Sequence, residues 1–126
     1  ILYYFVFFSI LIKLHLDREV KIMFVVTNRI TVKKGFAEKM APRFTKGGKI
    51  ETLQGFHKIE VWKVVRDHES EDMYVNTWWE TEKDFEAWTK SDAFKEAHQN
   101  RDKTSSESSP VISSEIVKAT VLSTLN

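Results

Sequence analysis

From Phe24 to Val32 the chain reads FVVTNRITV, and apolar and polar positions nearly alternate. Phe24, Val26, Asn28, Ile30 and Val32 fall on one face of an extended segment, with Thr27, Arg29 and Thr31 on the other. That period of two predicts a half-buried strand. The following KKGFAEKMAPRF changes period, placing Phe36, Met40 and Phe44 at helical spacing, and Pro42 is expected to bend or end that helix. GGK at 47–49 marks a loop. GFHKIEVWKVV at 55–65 and MYVNTWW at 73–79 are rich in aromatic and β-branched residues and predict two strands, hairpinned through the polar turn RDHESED.

Thr81 stands where a helix N-cap belongs, ahead of Phe85 and Trp88 on an inward face. Ser91 is placed to cap a second helical piece carrying Phe94, Ala97 and His98 at i, i+3 and i+4. NRDKTSSESSP at 100–110 is poor in apolar residues and predicts a mobile loop. VISSEIVKATVL returns to strand character. The order β-α-β-β-α-β is the split arrangement of ferredoxin-like α+β domains. One face of such a sheet needs a cover, and a second copy packed face to face would provide it, so a homodimer is expected.

The first 22 residues do not share this patterning. ILYYFVFFSILI is apolar at eleven of twelve positions, yet a bilayer-spanning helix needs roughly 20 residues. No positively charged segment precedes the run and no small-residue cleavage site follows it. Arg18-Glu19-Val20 can be encoded AGG GAG GTG, close to a bacterial ribosome-binding site, at a suitable distance from Met23. The expectation is that residues 1–22 are upstream or tail sequence and that 23–126 form the domain.

Composition narrows the chemistry. The 126 residues carry a formal charge of +1 and no dense Lys/Arg run, which argues against nucleic acid as partner. Without residues 1–22 the chain is formally neutral. Cysteine is absent, which removes disulfides, thiolate nucleophiles and Cys-ligated zinc or haem. Metal ligation must then fall to histidine, carboxylate, tyrosine, methionine or amide groups. The four histidines are His15, His57, His68 and His98. His57 lies beside Lys58 and Glu60, and His68 lies in a charged turn; both read as solvated. GxSxG, HExxH, P-loop and GxGxxG motifs are all missing, so hydrolase, zincin and nucleotide-binding readings lack support.

Three residues resist a bland reading. Asn28 sits on the apolar strand face, where an unpaired amide costs roughly 1–3 kcal/mol. Trp88 shares a helical face with Phe85, and His98 follows Phe94 on the inner side of its helix. Spacing alone leaves each open to two readings: a satisfied core residue, or a group presented to a ligand.

The chain from Met23 to Leu125 resembles the IsdG-type haem-degrading monooxygenases. The likeness is carried by NRITVKKG at 28–35, KIETLQGF at 49–56, AWTKSDAFKEAH at 87–98 and ESSPVISSEIV at 107–117. It implies a homodimeric α+β barrel with one haem per subunit between sheet and helices, and a site formed by Asn28, Trp88 and His98. His98, through Nε2 or Nδ1, is then the axial ligand of the haem iron. Asn28 faces the opposite side of the porphyrin, and Trp88 presses the ring out of plane. Haem is both substrate and cofactor, consumed with molecular oxygen and electrons from an external reductase to give a linear tetrapyrrole and iron. The setting implied is cytoplasmic iron nutrition, without a membrane partner. Two other readings stay open at this point: a haem-binding or sensing module without turnover, and a cofactor-independent quinol-type monooxygenase of the same fold. Pro42 departs from the continuous first helix that the family would have.

Overall fold

The computed structural model describes residues 2–6, 22–66, 68–102 and 109–126, with the side chains of 99–102 excepted. Residues 2–6 are helical with exposed side chains. The ordered domain runs β1 (Phe24–Lys33), α1 (Ala37–Thr45), a 3-10 turn (Ile50–Thr52), β2 (Phe56–Lys63), β3 (Ser70–Trp79), α2 (Glu82–Thr89), α3 (Asp92–Asp102) and β4 (Val111–Thr120). The four strands form one antiparallel sheet in the order β2-β3-β1-β4. This is the ferredoxin-like α+β topology expected from the patterning. Among the described residues no helix is long and apolar enough to cross a membrane.

The alternation in β1 does what a period of two requires. Phe24, Val26, Ile30 and Val32 are buried beneath the helices. Their partners on β3 are Trp79, Thr77, Met73 and Glu71, and paired residues of an antiparallel ladder share a face. The strand β3 begins at Ser70, inside the predicted polar turn, because Asp72 and Glu71 have their own work there. Thr31 donates to Asp72 at 2.9 Å, and Asp72 also pairs with Arg66 at 3.0 Å. The predicted mobile loop is shortened at its start, since α3 continues to Asp102; residues 103–108 lie outside the described set.

Pro42 does not end α1, which runs on through it to Thr45. The ring is exposed, so the carbonyl one turn back that loses its N–H partner is left to solvent rather than to the core. The inner face, Ala37 and Met40, keeps its packing. The start of α1 is tied to the sheet by Glu71, whose carboxylate accepts from the Gly35 N–H at 2.7 Å and the Ala37 N–H at 3.3 Å. Lys63 bridges to the same carboxylate at 3.1 Å. A negative group at a helix N-terminus meets unpaired N–H groups and the positive end of the helix dipole.

The Lys63 ammonium, followed by the Ala37 and Gly35 N–H groups, holds the Glu71 carboxyl below the ordinary glutamate value, with partial burial opposing. A depressed carboxyl takes up its proton more readily in the unfolded chain. Its contribution is therefore complete above the ordinary glutamate value, about 4.3, and disappears as pH falls through the folded value. Urea midpoints measured from pH 6 down to pH 3 are expected to fall less steeply for Glu71→Gln than for the parent chain. Parallel curves would remove Glu71 from the acid response.

Gly55 turns the chain into β2 with φ +80. A Cβ there would run into the Asp84 carboxylate, which belongs to the cap of α2. Left-handed strain of about 1–3 kcal/mol adds to that clash. Gly55→Ala is expected to lower the melting temperature by several degrees, and an unchanged melt would show that the turn relaxes freely.

Candidate functional site

The buried interior under the helices is divided in two. One cluster gathers Ile30, Val32, Ala37, Met40, Met73 and Val75 beneath α1. The other gathers Phe24, Val26, Trp79 and Phe85, with Trp88, Phe56, Leu53 and Ile50 packed on it, beneath α2. Val26 belongs to the second cluster and Ile30 to the first. Asn28 lies between them on the same strand face, at the seam where neither helix covers the sheet.

Its side-chain oxygen is the part that matters. Asn28 Oδ1 is buried and has no hydrogen-bond partner among the described residues. Across the ladder Asn28 faces Val75 on one side and Ile116 on the other, neither of which offers a side-chain donor. Ile116 is 55% exposed although it shares the helix-facing side of the sheet. α1 and α2 pack over β2 and β3, which leaves the β4 side of that face open. An exposed isoleucine beside an asparagine whose buried oxygen has no partner makes this part of the sheet face apolar with one unsatisfied polar group. Sites of that composition bind mostly apolar ligands and orient them with few polar groups.

The second wall comes from α2 and α3. Thr81 Oγ1 accepts from the Asp84 N–H at 3.1 Å and so caps α2. Ser91 Oγ donates to the Trp88 carbonyl at 2.6 Å and accepts from the Phe94 N–H at 3.2 Å. One hydroxyl therefore closes α2 and opens α3, fixing Trp88 relative to Phe94. Trp88 is half-buried. It stacks on Trp79 with ring centres 5.6 Å apart and meets Phe94 edge-on at 5.0 Å.

His98 completes that wall. Its Nδ1 lies 2.8 Å from the Phe94 carbonyl oxygen one turn earlier. A carbonyl can only accept, so Nδ1 carries a proton, and in the neutral ring the lone pair is on Nε2. Of the two nitrogens that the sequence left open, the hydrogen bond commits Nδ1. This is the arrangement by which proteins orient a metal-ligating imidazole. Phe94 also stacks on the imidazole at 3.8 Å between ring centres, with 27° between planes. Ala97, grouped with Phe94 and His98 by spacing, is exposed instead.

The remaining histidines do not join this site. His57 is exposed beside Glu80, at 3.4 Å; His68 is exposed; His15 lies outside the described residues. Among the described residues no group of three or more His, Asp or Glu side chains is placed to hold a bare metal ion. A shallow polar depression lined by Lys33, Lys34, His68, Glu69, Ser70 and Ile112 lies at the far end of β1, about 16 Å along the strand from Asn28. Its walls are charged and open, unsuited to an apolar ligand. Sequence reasoning missed Ile116, because β4 alternates too weakly to reveal which face is helix-covered. It also missed the part played by Phe94, whose spacing to His98 was visible but whose ring stacking was not.

With this geometry in view, the chain can be set beside known proteins. A sequence model described as antibiotic biosynthesis monooxygenase matches residues 23–100. A Staphylococcus haemolyticus protein named haem oxygenase (staphylobilin-producing) is 97% identical over 104 residues, covering 82% of this chain and all of that protein. A Staphylococcus epidermidis protein of the same name is 68% identical over 104 residues, 82% of this chain and 98% of its own. Among solved structures, a Bacillus cereus protein described as an antibiotic biosynthesis monooxygenase superposes with a TM-score of 0.68 at 24% identity, over 83% of this chain and 98% of that one. The Mycobacterium tuberculosis haem degrader MhuD, with two haems in its active site, gives 0.62 at 22% identity, over 82% and 99%. At those identities the two superpositions speak for the fold.

Proposed function

The chain belongs to the antibiotic biosynthesis monooxygenase family, and we propose that it is a haem-degrading monooxygenase of the IsdG type. The substrate is haem, opened to a linear tetrapyrrole with release of iron. The near-identical relative is named for staphylobilin, and the same product class is proposed here. The observation that carries the reading is a pair of unfinished side chains, one on β1 and one on α3. Asn28 Oδ1 is buried without a partner, and His98 has Nδ1 committed so that Nε2 is left to a metal. The unpaired oxygen is costly in the free protein, while the Asn28 Nδ2–H donor and the His98 Nε2 lone pair are the groups that a metalloporphyrin would use.

Haem brings the iron at which dioxygen is activated, with electrons from an external donor. The chain supplies placement. His98 Nε2 would hold the iron from the helix side, since neutral imidazole suits iron. Asn28, on the sheet side, would direct its amide to the opposite face of the ring and orient the oxygen chemistry there. Trp88, backed by Trp79, would press its indole on the macrocycle; distortion of the ring is a recognised control on haem reactivity. Ile116 would offer its exposed aliphatic surface to the ring.

A homodimer is part of the proposal. On the sheet face away from the helices Trp62 is 49% exposed and its ring lies tilted against Trp78, 6.1 Å between centres. Arg29 lies over Tyr74 and Lys58 over Trp78. A surface this aromatic is the kind that a second copy covers. Cytoplasmic iron nutrition and a separate reductase complete the reading.

Titration with haemin, then ascorbate in air with mass spectrometry of the product, tests it. One haem per subunit and a linear tetrapyrrole are expected. Intact haem after prolonged reduction would leave a binding module in its place.

A further inference from the structure

We propose that Phe94 is a positioning residue that sets the plane of the His98 imidazole, and that it does so as the last link of a braced aromatic column rising from the sheet. The proposal rests on the haem-degrading reading and adds a residue to it.

The column starts in the core. Trp79 is fully buried, and its indole N–H donates to Thr77 Oγ1 at 3.0 Å, whose hydroxyl in turn reaches the Val26 carbonyl. Both rotation and tilt of that indole are thus fixed by the β1–β3 ladder. Phe56 and Phe85 flank it at 5.4 and 6.1 Å. Trp88 stacks on Trp79, Phe94 meets Trp88 edge-on, and His98 stacks on Phe94. Four rings therefore run without a break from the sheet to the imidazole.

A hydrogen bond from Nδ1 to a carbonyl restrains where the ring sits but leaves it free to swing about that bond. The stacked Phe94 ring blocks the swing. The same residue thus holds His98 twice, through its carbonyl at 2.8 Å and through its ring at 3.8 Å. Only the ring can be removed by substitution, which makes the two separable. Ser91 fixes the backbone of Phe94 against Trp88, so pressure on Trp88 from a bound ring is passed to the axial ligand rather than dissipated. Contact between the two rings at 3.8 Å is expected to favour one imidazole orientation severalfold.

Two measurements on Phe94→Leu and Phe94→Tyr test this. In the apo-protein, three-bond couplings of the His98 side chain are expected to report a single ring orientation in the parent and in Phe94→Tyr and averaging between orientations in Phe94→Leu, with the Nδ1–H tautomer set by the backbone carbonyl kept in all three. In the ferric cyanide complex, the spread of haem methyl shifts follows the imidazole plane; Phe94→Leu is expected to change it and Phe94→Tyr to retain it. Phe94→Met, which keeps bulk without a ring, replaces the leucine variant should that one lose its far-ultraviolet dichroism. Parental side-chain couplings and methyl spread in the ringless variants would overturn the proposal and leave Phe94 as packing alone. Failure of the parent to take up haem would sink the functional reading instead, while the apo couplings still decide the role of Phe94.

Discussion

Asn28→Leu is expected to give a protein that is more stable without haem and nearly inactive with it. The two side chains have similar shape. Replacing a buried oxygen that has no partner by a methyl group removes a desolvation penalty of about 1–3 kcal/mol. For a domain of this size that is a rise of several degrees in melting temperature. Turnover of haem under ascorbate is expected to fall about 100-fold, the usual effect of deleting one pre-placed polar group at a reacting centre. Haem uptake should persist, because Ile116 and the aromatic wall remain. The opposed signs are the point: a structural asparagine would lose stability on the same change. A leucine variant no more stable than the parent, or one with parental turnover, contradicts the assignment.

His98→Ala is expected to remove the axial imidazole. The Soret band of the ferric complex should shift and lose its histidine-ligated form. Haem affinity should fall about 100-fold, the upper end of what even indirect ligand partners cost. Added imidazole is expected to restore the parental spectrum, since the vacated space opens beside Phe94 and leaves the rest of the groove intact. Spectra unaltered by the substitution would take His98 out of the site. The reading also requires Nε2 as the ligand, so methylation of that nitrogen should block haem ligation where methylation of Nδ1 would only disturb its hydrogen bond.

Both predictions depend on residues that the chain announces in different ways. The element order was legible because each element carries its own period. The alternation of β1 and the helical spacing of Phe85 and Trp88 are local, and local pattern survives folding. The caps at Thr81 and Ser91 were legible for the same reason, since a cap involves neighbours three residues apart. That Pro42 would not end α1 was not legible, because its cost depends on whether the lost hydrogen bond faces water or core, and the ring lies on the exposed side of the helix. The start of β3 at Ser70 was hidden by its acidic residues, which are held by Arg66, Thr31, Lys63 and the start of α1.

The site divides along the same line. That Asn28 was out of place on an apolar face, and that His98 shared a helix side with Phe94, could be read from the chain; the family resemblance joined them to Trp88. Spacing could not say that Asn28 falls on the seam between two packed clusters, since that depends on where α1 and α2 come to rest on the sheet. Nor could it choose the nitrogen of His98 that is free, which is decided by one carbonyl a turn away. The exposed Ile116 and the braced column from Trp79 to His98 exist only through contacts between distant segments. Sequence by itself determined which elements form and which polar residues are anomalous, because those follow from near-neighbour chemistry. Tertiary structure alone decided which of those anomalies stay without a partner, because burial and the supply of hydrogen-bond partners are properties of the packed whole.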